Sequence, residues 1–131
     1  MTYSTVALSK LFEHRYKFYA DVYNLRTNKF VENIVLLDTG CYNSLIPRDL
    51  AEQSGHSLGF KMKYSLGANL VETEAFSINK IMIGDLLLER VVAFAGAYKG
   101  DHEDDIILGT NVINNWEMII SKKSIRFNSA R

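Results

Sequence analysis

The segment Ile34-Val35-Leu36-Leu37 is apolar at four consecutive positions and then runs straight into a carboxylate, Asp38. Successive side chains of a strand point to opposite faces, so a run without polar alternation is covered on both sides and belongs in the middle of a molecule. A lone charge at the end of such a strand is costly unless it is paired, hydrogen-bonded or protonated. The next two residues supply what a tolerated carboxylate needs. Gly40 lets the backbone turn sharply and bring N–H groups toward Asp38. Thr39 offers a hydroxyl that both donates and accepts, and Ser44 adds another close by in sequence. An ordinary turn closing a strand uses the same residue types, so the tripeptide alone does not separate a reactive carboxylate from a structural one.

The 131 residues suit one domain over 1–131, with residues 1–14 as a possible N-terminal arm or short helix. Hydrophobic residues make up 47% and charged residues 23%, enough apolar material for a core without staples. Lys+Arg and Asp+Glu both number 15, which argues against a general nucleic-acid binder and gives no pull toward an anionic membrane. The single cysteine, Cys41, excludes an intrachain disulfide. No secretory leader pattern and no apolar stretch near the ~20 residues of a spanning helix is present, so a soluble, cytoplasmic protein is expected.

Most of the chain has β texture. Tyr16–Tyr23 and Phe30–Leu37 read as strands around a turn that contains Asn28, with Leu25–Asn33 longer than a minimal turn. Ser44-Leu45-Ile46 is a short strand. Pro47 then opens a brief helix through Gln53, stopped by Gly55. Tyr64–Phe76 reads as a hairpin with Gly67-Ala68-Asn69 near its tip, and Ile78–Ile83 and Leu86–Phe94 as strands joined at Gly84-Asp85. Gly96–Asp104 is a polar loop. Ile106-Ile107-Leu108 is a second buried apolar run, closed by Gly109 and followed by a short helix over Thr110–Asn115. Trp116–Ile120 and Ser124–Phe127 make a last hairpin. The fold class expected is all-β, a closed barrel-like sheet with one or two short helices.

Taken in order, Val35-Leu36-Leu37-Asp38-Thr39-Gly40, Ser44-Leu45-Ile46-Pro47, the Tyr64–Phe76 hairpin and Ile107-Leu108-Gly109 resemble the retropepsin-like aspartic peptidases, from about Tyr16 to Phe127. The resemblance implies an aspartic endopeptidase in which Asp38 is catalytic and Thr39 and Gly40 support it. Leu66, Gly67 and Ala68 become the tip of a flap over an extended polypeptide substrate, and neither a metal nor an organic cofactor is required. The chain holds one Asp-Thr-Gly while the chemistry needs two carboxylates, so a symmetric homodimer is expected to supply the second Asp38. Two carboxylates that close share one proton, one member activating a water and the other donating to the peptide carbonyl.

The alternatives are a catalytically silent retropepsin-like module used for binding or dimerisation, and an unrelated small ligand-binding barrel. The sequence departs from the family where alanine is often found after the triplet, with Cys41 there instead, and in a flap whose presumed tip carries only Gly67. His14, His56 and His102 form no zinc motif. Asp101, Glu103, Asp104 and Asp105 read as a solvated loop rather than a calcium site.

Overall fold

The computed structural model describes residues 3–7, 17–38, 40–66, 69–96, 105–114, 116–120 and 124–129. The chain runs β1 (Tyr3–Ala7), β2 (Lys17–Asn24), β3 (Lys29–Leu37), β4 (Ser44–Pro47), α1 (Arg48–Ser54), β5 (Gly55–Leu66), β6 (Asn69–Ile83), β7 (Leu86–Gly96), β8 (Ile106–Leu108), α2 (Thr110–Ile113), β9 (Trp116–Ile120) and β10 (Ser124–Ser129). The first residues, open in the sequence between a short helix and an arm, thus contain a strand.

Seven strands form one sheet in the order β2-β3-β8-β4-β7-β6-β5. A further pairing of β2 with β6, Asp21 opposite Met82 and Val22 opposite Ile81, closes it into a six-stranded barrel with β5 outside the ring. Closure pairs the otherwise open edge of β2, leaving β5 as the one edge strand of this sheet among the described residues. A second sheet, β1-β10-β9, is antiparallel throughout.

The barrel interior explains the apolar runs. Val35 and Leu37 of β3 face inward beside Phe18, Ala20 and Val22 of β2, Ile78, Ile81 and Ile83 of β6, and Ile106 and Leu108 of β8. Each such side chain, fully buried, stabilises the fold by about 1.5–3 kcal/mol relative to an exposed one. Phe127 of β10 meets Phe18 edge-on, with ring centroids 6.0 Å apart, and so docks the small sheet on the barrel. Ile34 and Leu36, on the other face of β3, are only half-buried.

Three boundaries differ from the sequence reading. The β2–β3 turn is tighter than Leu25–Asn33 suggested, because Asn24 already pairs with Lys29. The Asn24 side chain accepts from the N–H groups of Arg26 and Thr27 at 2.8 and 3.1 Å, and Asn28 takes a left-handed φ of 56°. The long hairpin starts at Gly55 rather than Tyr64, and β6 continues through Ser77 as one 15-residue strand. His56–Lys63 is exposed at every position, so it carries no alternation to announce a strand. Gly55 stops α1, as the sequence reading has it, but without a left-handed turn. Its φ is −155°, and a Cβ there would lie 2.4 Å from the Ser77 carbonyl oxygen, so glycine is required by close approach.

Candidate active site

Asp38 ends β3 where the strand lies against β8 in parallel, Leu37 opposite Leu108. The ladder extends one step further, as the Asp38 N–H donates to the Leu108 carbonyl at 3.0 Å. The chain then folds back on the side chain. Gly40 N–H donates to Asp38 Oδ1 at 2.9 Å, and Cys41 N–H reaches the Asp38 carbonyl at 3.3 Å. The carboxylate is thereby oriented by backbone, at a half-buried position. Thr39 lies outside the described residues.

The loop after Asp38 is bolted to the turn after β8. Thr110 N–H and Asn111 N–H donate to the carbonyls of Cys41 and Tyr42, each at 2.8 Å. Ser44 is fully buried. Its hydroxyl donates to Asn111 Oδ1 at 2.8 Å and accepts from Gly109 N–H at 3.0 Å. The Asn111 amide in turn donates to the Val92 carbonyl of β7 at 3.0 Å. Ser44 thus serves as a strut between the two loops. A Cβ on Gly109 would fall 2.5 Å from the Cys41 carbonyl oxygen and 2.7 Å from that of Asn43, so only glycine lets the loops approach this closely. Asn111 did not stand out in the sequence. Its only signal is a polar residue at the start of a short helix, and its partners lie far away along the chain.

Cys41 is half-buried, and its thiol donates to the Asn43 carbonyl at 2.9 Å. Burial pushes the thiol pKa up, and the negative charge of Asp38 pushes it further. Cys41, which stands where alanine is often found after the triplet, is thus only partly covered.

The β5–β6 hairpin stands over this loop. Asn43 Nδ2 contacts Met62 Sδ of β5 at 3.8 Å. Phe60 meets Phe94 edge-on at 5.9 Å, above a small apolar cluster of Leu45, Ala75, Phe94 and half-buried Ile107. Tyr42, next to the loop, is 71% exposed. Leu66 pairs with Asn69 as the last step of the ladder, next to the expected tip. Gly67 and Ala68 lie outside the described residues. Two surface hollows, of about 320 and 270 Å³, lie beside β7 and α2 and between β2, β3 and α1, and Asp38 lines neither.

Asp105 corrects the expectation of a solvated acidic loop. It is 6% exposed, and its Oδ2 lies 2.7 Å from Nζ of Lys17, itself 2% exposed. The other acidic residues of that run, with His102 and His14, lie outside the described residues, and His56 is exposed. Among the described residues no group of three metal-ligating side chains occurs, and no helix is long and apolar enough to cross a membrane.

Similarity to known proteins agrees with this geometry. No curated protein matches the chain. A solved structure, that of a retropepsin-like aspartic protease from Rickettsia conorii, superposes with a TM-score of 0.62, covering 98% of this chain and 91% of that one at 18% sequence identity. At that identity the likeness establishes the fold, a retropepsin-like closed barrel with two short helices. A sequence model of the aspartyl protease family matches residues 30–112, more than half of the chain and the whole span from β3 through Asp38 to α2. The chain therefore belongs to the aspartyl protease family.

Proposed function

We propose that this chain is an aspartic endopeptidase that works as a homodimer, each copy contributing Asp38 to one shared site. The observation that carries the reading is the placement of Asp38. It ends a barrel strand, its Oδ1 is held by Gly40 N–H, and its loop is tied by hydrogen bonds to the Gly109 turn. Family membership gives that carboxylate a chemistry, and one Asp-Thr-Gly per chain gives it a partner requirement.

In this reading the two carboxylates share one proton, because like charges in hydrogen-bond reach do not both ionise readily. The ionised carboxylate takes a proton from a water as its oxygen attacks the peptide carbonyl. The protonated one donates to the carbonyl oxygen, and collapse of the tetrahedral intermediate returns a proton to the leaving amine. Thr39 and Gly40 hold the two carboxylates in register. The β5–β6 hairpin, with Leu66, Gly67 and Ala68 at its end, covers an extended peptide and excludes water. A cytoplasmic setting and independence of metals belong to the same proposal.

The test is Asp38→Asn. The variant should unfold at the temperature of the parent protein or above it and lose cleavage of unstructured polypeptides. Cleavage retained by pure Asp38→Asn protein contradicts the proposal. A folded parent protein that dimerises and cuts no polypeptide would instead support a silent binding or dimerisation module.

A further inference from the structure

The β5–β6 hairpin is not one continuous ladder. Gly55–Ser57 pairs with Phe76–Ile78, and pairing resumes only at Lys61 opposite Glu74. Leu58, Gly59 and Phe60 thus stand opposite the single residue Ala75. All three are exposed, and Gly59 takes a left-handed φ of 83° that disfavours any side chain. The third strand ends at the same level, since β7 last pairs with β6 at Ala95 opposite Glu74. Among the described residues the hairpin therefore has two parts. Its root joins the barrel through β6. Its distal ladder, Lys61–Leu66 with Asn69–Glu74, is two-stranded and touches the Asp38 loop through Met62 and Asn43.

One side-chain network spans this junction. Glu74, the first residue on the distal side, accepts from Arg48 Nη2 through Oε1 at 2.9 Å and from the Ser57 hydroxyl through Oε2. Ser57 Oγ also accepts from Gly59 N–H at 3.1 Å, inside the bulge. Arg48 is held in place by Glu52 at 3.2 Å and lies 5.6 Å from the centroid of the Phe76 ring on the root. It is also the first residue of α1, directly after the strand whose Ser44 braces the Asp38 loop.

We propose that Arg48, Glu74 and Ser57 form a clamp across the Leu58-Gly59-Phe60 break that sets the lean of the distal hairpin over the Asp38 loop. Arg48 is then a positioning residue for substrate capture, a role that rests on the peptidase reading. An isolated surface ion pair contributes little to global stability. This one spans a break in the ladder where only a few contacts, Phe60 on Phe94 and Met62 on Asn43 among them, hold the distal strands, so its loss loosens a local segment and leaves the barrel intact.

Hydrogen exchange by mass spectrometry on the full-length protein tests the clamp without any substrate. Arg48→Met keeps an apolar stem over Phe76 and removes the fork. It should speed exchange at Lys61–Leu66 and Asn69–Thr73 by about tenfold, leaving Phe76–Ile83 unchanged. Glu74→Gln should do the same, and the double variant should be no faster than either single one. With an extended peptide substrate, KM should rise more than kcat falls. Exchange in the distal ladder unchanged in both single variants, or accelerated equally in the root, overturns the proposal. If the parent protein cleaves nothing, the peptidase reading fails while the exchange pattern still decides the clamp.

Discussion

At the scale of single residues, the site is a backbone device with a few side-chain pins. Asp38 is oriented by Gly40 N–H and Leu108 carbonyl contacts, and Asn111 is the pin whose removal is most informative. Asn111→Ala leaves the buried Ser44 hydroxyl and the Val92 carbonyl each short of a hydrogen bond. It should lower stability by about 1–3 kcal/mol, read as a fall in the denaturant midpoint, and reduce activity beyond the loss of folded protein. Cys41 reports on the charge beside it. Its pKa is raised by burial and then by Asp38, so the folded state favours the thiol. The stability this group contributes is present below its unfolded pKa and is lost as pH rises through the folded one. Asp38→Asn removes the second cause, so alkylation of Cys41 at pH 8 should be faster in that variant than in the parent. An unchanged or slower rate contradicts the coupling.

At the scale of elements, the parts that local pattern can announce were legible. The apolar runs at Ile34–Leu37 and Ile106–Leu108 named the two strands that carry the site, because one face is buried and the other half-covered, which leaves no polar alternation. What pattern cannot announce is pairing between distant segments. Lys17 and Asp105 each sit in ordinary-looking contexts, one at a strand start and one after a run of acids, and only the fold brings them to 2.7 Å. The first part of β5, before Tyr64, was missed for the opposite reason: it is exposed from His56 to Lys63 with no periodic signature, and its bulge breaks the register. The Lys17–Asp105 pair ties the start of β2 to the residue before β8, the strand whose Leu108 holds Asp38. Lys17→Met takes the ammonium away from a buried carboxylate and should destabilise the protein by about 3–5 kcal/mol, seen as a large drop in Tm. The double replacement Lys17→Met with Asp105→Leu should recover most of that loss, since a buried pair and an apolar pair of similar volume differ little in stability.

At the scale of the whole molecule, the barrel presents Asp38 at the end of one central strand, under a hairpin that leaves the ring of strands at Glu74. The closed β architecture was expected from strand count and spacing, and the break in the ladder inside the hairpin was not. A single chain carries half of the chemistry proposed for it, so the central claim concerns the relation between two copies. The most direct test is the separation of Asp38 carboxylates in a crystal structure of the full chain, grown at a concentration where scattering reports a dimer. The account predicts two Asp38 side chains facing each other across a two-fold axis within about 3 Å. A dimer that keeps every Asp38 apart and open to solvent would contradict it.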